Sequence, residues 1–230
     1  MYRTKLLLAA IYIVTFISTS DASASDFFSK RENQLNMTGT LNSRYAWQLE
    51  LSYQHKLLSF LDVGIGAGML KQWYDDAEVA SGDVAYKEYT SWRLSEDDYR
   101  VQKLFARPYI QVSTPELWCA GNCHFRLNTQ AGVMLMLPYE SVGITYLNGR
   151  PHEEEYKIHS TSKGQWAVPF VRPAVEMGIE DLGFSMGAEF STLDIYSFRR
   201  NIRFHDVSMD GLYEKKRFTW GVFLNLSYSF

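Results

Sequence analysis

After its first two dozen residues the chain contains no apolar run long enough to cross a membrane as a helix. Cysteine is scarce: Cys119 and Cys123 are the only two in 230 residues. That excludes a disulfide-dense scaffold, and it denies a Cys-rich zinc site its second pair. No single sign of charge dominates, since 23 Lys and Arg stand against 26 Asp and Glu for a net charge of −3. A nucleic-acid partner, which would ask for a strong basic field, is therefore not expected. Gly-x-Ser-x-Gly and His-Glu-x-x-His are both absent. No cofactor, no metal and no catalytic residue is expected. What the chain does have is aromatic side chains, 15% of the total.

Residues 1–24 read as a secretory signal peptide. Arg3 and Lys5 form a basic start, Leu6 to Ile17 is the apolar stretch, and Ala22-Ser23-Ala24 is a small-x-small cleavage site. The mature domain is then 25–230. No cysteine follows the apolar stretch, so lipid anchoring at a new N-terminus is not supported.

The rest of the chain alternates with period two, the signature of strands whose successive side chains point to opposite faces. From Phe218 to Phe230 every even position is apolar, ending Leu224, Leu226, Tyr228, Phe230. The odd positions are mostly small or polar, with Phe223 the exception. Six further segments repeat the pattern, at 45–54, 61–69, 104–113, 124–135, 169–178 and 182–191. Runs of about ten residues suit a tilted membrane strand better than the usual soluble strand of about five to six. Tyr45, Tyr53, Trp73, Trp220 and Tyr228 fall where two interfacial aromatic girdles belong. The links alternate short (55–59, 114–123, 180–181) and long (75–103, 138–165, 197–217), as turns on one side of a membrane and loops on the other.

Seven strands need a partner to close. The segment Asp26 to Leu41, with Leu35, Met37 and Leu41 in alternation, supplies an eighth. The expected fold is all-β, an antiparallel up-and-down transmembrane barrel of eight strands. Pro169 and Pro173, on one strand, predict a bulge or bend there.

The signal peptide, the strand pattern and the Phe218–Phe230 segment together resemble the small, eight-stranded Gram-negative outer-membrane β-barrel proteins. The resemblance implies an outer-membrane location and lipid contact. It also implies that Leu226, Tyr228 and Phe230 form the signal read by the barrel-assembly machinery. It supplies no activity.

Face assignment puts Glu50, Asp62, Glu176 and Glu189 inside with Arg107, Arg126 and Arg172. An eight-stranded barrel has room only for side chains, so these charges should pair into a plug and leave no open pore. Cys119 and Cys123 predict a local disulfide or paired thiols around Gly121, ahead of a redox or metal role. The long links read as solvated loops that hold the freedom to bind an extracellular ligand, Tyr86, Tyr89, Trp92 and Tyr99 among them. Pro151-His152-Glu153-Glu154-Glu155 with His159 matches no defined metal spacing. Two alternatives carry different functions. A lipid-modifying acyl hydrolase or transferase would use pairs such as His159-Ser160 or His205-Asp206. A soluble periplasmic lipocalin-like barrel would turn the apolar face inward.

Overall fold

In a computed structural model, which describes residues 28, 31–73, 80–98, 100–150 and 153–230, eight antiparallel strands close into a barrel. They are β1 (Asn33–Asn42), β2 (Ala46–Leu58), β3 (Leu61–Gln72), β4 (Gln102–Ser113), β5 (Cys123–Met136), β6 (Ala167–Ile179), β7 (Leu182–Ser191) and β8 (Thr219–Ser229). Each pairs with its neighbour in sequence, and β8 pairs with β1 from Leu41↔Val222 down to Gln34↔Ser229. No sheet edge is left in the wall, so every strand finds ladder partners on both sides. The weak alternation before Leu41 is thus the closing strand, beginning at Asn33 rather than near Asp26. The signal segment 1–24 lies outside the described residues.

The outward face is apolar. Leu51, Ile65, Leu104, Met186 and Leu226 are each more than half exposed, and Leu35, Leu127 and Val175 are exposed on the remaining strands. So large a contiguous apolar belt belongs in hydrocarbon, where only a closed barrel or a helix can satisfy its backbone. Tyr45, Trp73 and Trp220 stand exposed at the long-loop end of the belt, with Tyr53 and Tyr228 at the short-turn end. The lipocalin-like arrangement is excluded, because the buried face carries the charges.

The prolines insert no bulge in β6. Its pairing with β5 runs unbroken from Ala167↔Leu135 to Gly178↔His124, through Pro169↔Val133 and Pro173↔Thr129. Towards β7 the ladder skips Arg172 and Pro173 yet resumes at Ala174↔Gly187 in the same register. A missing N–H removes rungs without inserting a residue, so the register is kept.

The long links are not simple solvated loops. Strands Ser81–Tyr86, Tyr89–Leu94, Glu140–Leu147 and Glu154–Thr161 form a four-stranded sheet above the barrel. A small hairpin, Arg203–Phe204 with Val207–Ser208, packs on it. Trp92, Val142, Ile144, Tyr146, Phe204 and Met209 are all buried in a core of their own. Trp92, placed among solvated residues by the sequence, is an anchor of that core, with its ring edge-on to Phe204 at 5.1 Å. Tyr99, Pro151 and His152 lie outside the described residues.

Candidate functional site: a filled interior and an ordered outer tier

The barrel interior is filled in layers. At the long-loop end an apolar cork closes it, where Leu193 and Ile195 dip from the β7–β8 link onto Ala46, Leu70, Met134, Met136 and Val168. Beneath lies an ionic quartet. The Arg107 guanidinium donates from Nη1 to Glu50 Oε2 at 2.8 Å and to Glu189 Oε2 at 3.1 Å. Arg172 donates to the same two carboxylates, from Nε to Glu189 at 2.6 Å and from Nη1 to Glu50 at 3.1 Å. All four side chains are buried, Arg107 completely. Gln48 and Thr40 take further guanidinium protons. Phe105, Phe170 and Phe223 point inward and place ring faces against the two cations, with Arg107 at 4.6 Å from the Phe170 centroid. Phe223, which breaks the polar pattern of its strand in the sequence, is one wall of this cage.

Gly66 makes room for the quartet. A Cβ at that position would lie 2.5 Å from Glu50 Oε1, so only glycine leaves space for the carboxylate. Gly64 does the same for the Tyr109 ring, which stands in the next layer down. There Tyr109 donates to Gln54 at 3.2 Å, and Gln54 donates to Asp62 at 3.0 Å. Asp62 is therefore inside as expected, but it is held by the amides of Gln54 and Gln111 rather than joined to the ionic quartet. Near the short-turn end Arg126 pairs with Glu176 at 2.8 Å, and Asn128 donates to the same oxygen. Phe28, buried just before β1, closes this mouth with its ring 4.1 Å from the Arg126 guanidinium carbon. Arg31 beside it donates to the backbone oxygens of Glu180 and Leu182.

A second set of buried charges joins the barrel to its outer tier, and the sequence reading missed it. Glu140, at the start of a loop strand, accepts from Arg199 at 2.7 Å and pairs with Lys103 of β4 at 2.9 Å. Arg200 pairs with Asp194. The signal for Lys103 was present, since it continues the inward register of Phe105 and Arg107; Glu140 and Arg199 lie in links with no strand frame to orient them.

In the outer tier Tyr86, Tyr146, His159 and His205 form one ring cluster, with Tyr86 stacked on His205 at 3.8 Å. His159 Nε2 lies 2.9 Å from the Tyr146 hydroxyl. Burial, with His205 and Lys157 adding to it, moves the His159 pKa down from the usual imidazole value. Ser160 follows His159 on a strand and so points to the opposite face, which removes that pair as a nucleophile and base. Glu155, between the Lys87 and Lys157 ammonium groups, is held well below the carboxylate range, at about 2. Tyr156 and Ile158 are exposed on the same edge strand.

The cysteines are corrected as well. Cys119 and Cys123 are free thiols. A short strand, Trp118–Ala120, pairs with the start of β5 as Cys119↔His124 and Ala120↔Cys123 around a turn with Gly121 at φ 63°. Directly opposed residues share a face, so the two thiols project from opposite faces of the hairpin and do not meet. Leu226, Tyr228 and Phe230 stand exposed along one outward stripe at the closing seam, where the Phe230 amide donates to Asn33 O at 3.0 Å.

No protein-family model and no curated protein matches the chain. Among solved structures it is similar to the N-terminal β-barrel domain of Pseudomonas aeruginosa OprF, at 8% identity and a TM-score of 0.40, over 87% of this chain and 98% of that one. Neisserial surface protein A matches at 8% identity and a TM-score of 0.38, over 86% and 96%. Yersinia pestis Ail, in complex with the heparin analogue sucrose octasulfate, matches at 6% identity and 0.32, over 86% and 95%. The chain is an eight-stranded membrane β-barrel. Its closed ladder and apolar belt make it one.

Proposed function

We propose that the protein is a non-conducting outer-membrane barrel that serves as a rigid pedestal for an extracellular interaction surface. One observation carries the reading: the interior is stoppered from end to end while the long links build an ordered sheet with its own core. A pore would keep its interior open and its loops out of the way. Here Glu50 and Glu189 neutralise Arg107 and Arg172, Glu176 neutralises Arg126, and Glu140 clamps the outer tier to the wall. The polar and aromatic outer face, with Tyr156 and Ile158 exposed on an edge strand, is the surface offered to a partner. The outward stripe ending at Phe230 is the segment proposed to engage the assembly machinery.

The test combines conductance and surface labelling. The purified chain in a planar bilayer is expected to show no stable conductance steps. On whole cells, a bulky polymer-linked maleimide should label a Tyr156→Cys chain and leave the native Cys119 and Cys123 unlabelled until the cells are opened. Steady ohmic channels, or labelling of the native cysteines on intact cells, would overturn the reading.

A further inference from the structure

We propose that Glu116, Cys119 and His124 form a binding site for a thiolate-favouring divalent cation, Zn2+ in the first place, at the short-turn mouth of the barrel. The three side chains offer a carboxylate oxygen, a sulfur and an imidazole nitrogen that all lie within 4.8 Å of one another. Zn2+ bonds sulfur at about 2.3 Å and nitrogen or oxygen at about 2.0–2.2 Å, so tetrahedral ligands sit roughly 3.5 Å apart. The widest of these separations has to close by no more than about 1.3 Å while the Glu116–His124 approach opens slightly, and rotamer adjustment of an exposed cysteine and a half-buried glutamate supplies both.

The three are held by a short hairpin braced on both sides. Cys119 and His124 are opposed partners of one ladder, so their side chains rise together from the same face. The opposite face is pinned by Trp118 stacked on Phe125 with centroids 5.0 Å apart. Backbone bonds from Thr114 to Leu127 and from Leu117 to Phe125, both 2.9 Å, fold the preceding segment back and bring Glu116 Oε2 to 3.0 Å from His124 Nδ1. An exposed histidine–carboxylate pair contributes little by itself. The thiol is what changes the chemistry, since sulfur, imidazole and carboxylate together suit Zn2+ rather than Mg2+ or Ca2+.

The Cys119 thiol donates to Gly121 O at 3.2 Å, a weak bond that is released when the thiol loses its proton. Cys123, the obvious disulfide partner, projects from the other face. On binding, the Cys119 thiol gives up its proton to solvent as the sulfur–metal bond forms, and the imidazole binds as the neutral base. Three protein ligands leave a fourth position for water. The site is independent of the pedestal reading; only its periplasmic placement rests on it.

The experiment is a Zn2+ titration of the full mature chain in detergent, with Co2+ as a spectroscopic stand-in. Expected are one equivalent of Zn2+ bound at micromolar or tighter affinity and a thiolate-to-cobalt charge-transfer band. Cys119→Ser should abolish the band and weaken binding at least tenfold, His124→Gln should weaken it comparably, and Cys123→Ser should leave both unchanged. Heat-modifiable gel migration verifies that each variant is a closed barrel. Absence of saturable binding overturns the proposal, and so does equal loss in Cys119→Ser and Cys123→Ser, which would mean a dithiol site instead.

Discussion

Replacing Arg172 with methionine tests the ionic quartet most directly. The side chain is buried and makes two of the four guanidinium–carboxylate contacts. The wild-type quartet is neutral, two carboxylates against two guanidinium groups. Arg172→Met leaves Glu50 and Glu189 sharing Arg107, one negative charge in excess inside a wall surrounded by lipid. Breaking a buried pair from one side costs about 3–5 kcal/mol, because the orphaned charge stays buried. Removing a charge of each sign restores neutrality, so Arg172→Met with Glu189→Gln should recover at least ~1 kcal/mol relative to Arg172→Met alone. Urea unfolding in detergent micelles, followed by tryptophan fluorescence and by gel migration without boiling, measures both. The reasoning is refuted if Arg172→Met falls within ~1 kcal/mol of wild type, or if the double variant loses the sum of the two single losses.

Trp92→Ala should cost the outer tier about 3–5 kcal/mol, reading out as protease cleavage within 80–98 or 140–161 while the barrel still shifts on boiling. Gly66→Val should drive a methyl into Glu50 and lower the yield of folded barrel, with Gly39→Val, whose Cβ position is empty, as the neutral comparison. For His159 the folded pKa lies below the unfolded value, so its protonation opposes folding. Above about pH 6.5 neither state is charged, and the outer tier should lose protection as pH falls below that value until the folded histidine itself titrates; an NMR titration of the His159 ring at or above 6.5 would contradict this. Deleting Phe230 should reduce the amount of heat-modifiable barrel in the membrane fraction while leaving in vitro refolding in detergent nearly unchanged.

The wall of this protein was legible because period two is set by the strand itself. Once Phe218–Phe230 fixes which parity meets lipid, Glu50, Arg107, Arg172 and Glu189 are assigned inward without any knowledge of their partners. Arg172 and Glu189 fall opposite each other in the register of neighbouring strands, but the links from Glu50 to Arg172 and from Arg107 to Glu189 were not legible, because those walls are brought together by closure and not by spacing. Gly64 and Gly66 read as generic small residues, although each marks a side chain arriving from another strand. The outer sheet was missed because its strands are short and pair out of sequence order, Tyr89–Leu94 with Glu140–Leu147. Val142, Ile144 and Tyr146 do alternate, but eight residues inside a long link read as loop. The cysteine expectation failed on the same parity rule that succeeded elsewhere: spacing around a turn decides which residues face each other, and the register places Cys119 against His124.

The quartet draws its members from β2, β4, β6 and β7. Glu50 reaches Arg107 over the intervening β3, and it reaches Arg172 only across the lumen. Glu189 meets Arg172 on the neighbouring strand and Glu50 meets Arg107 across one strand, so each half of an open sheet already holds a matched pair. The two cross-links, Glu50 to Arg172 and Arg107 to Glu189, need the closed cylinder. Closure thereby fuses two separate ion pairs into one four-membered knot that ties the two halves of the wall together.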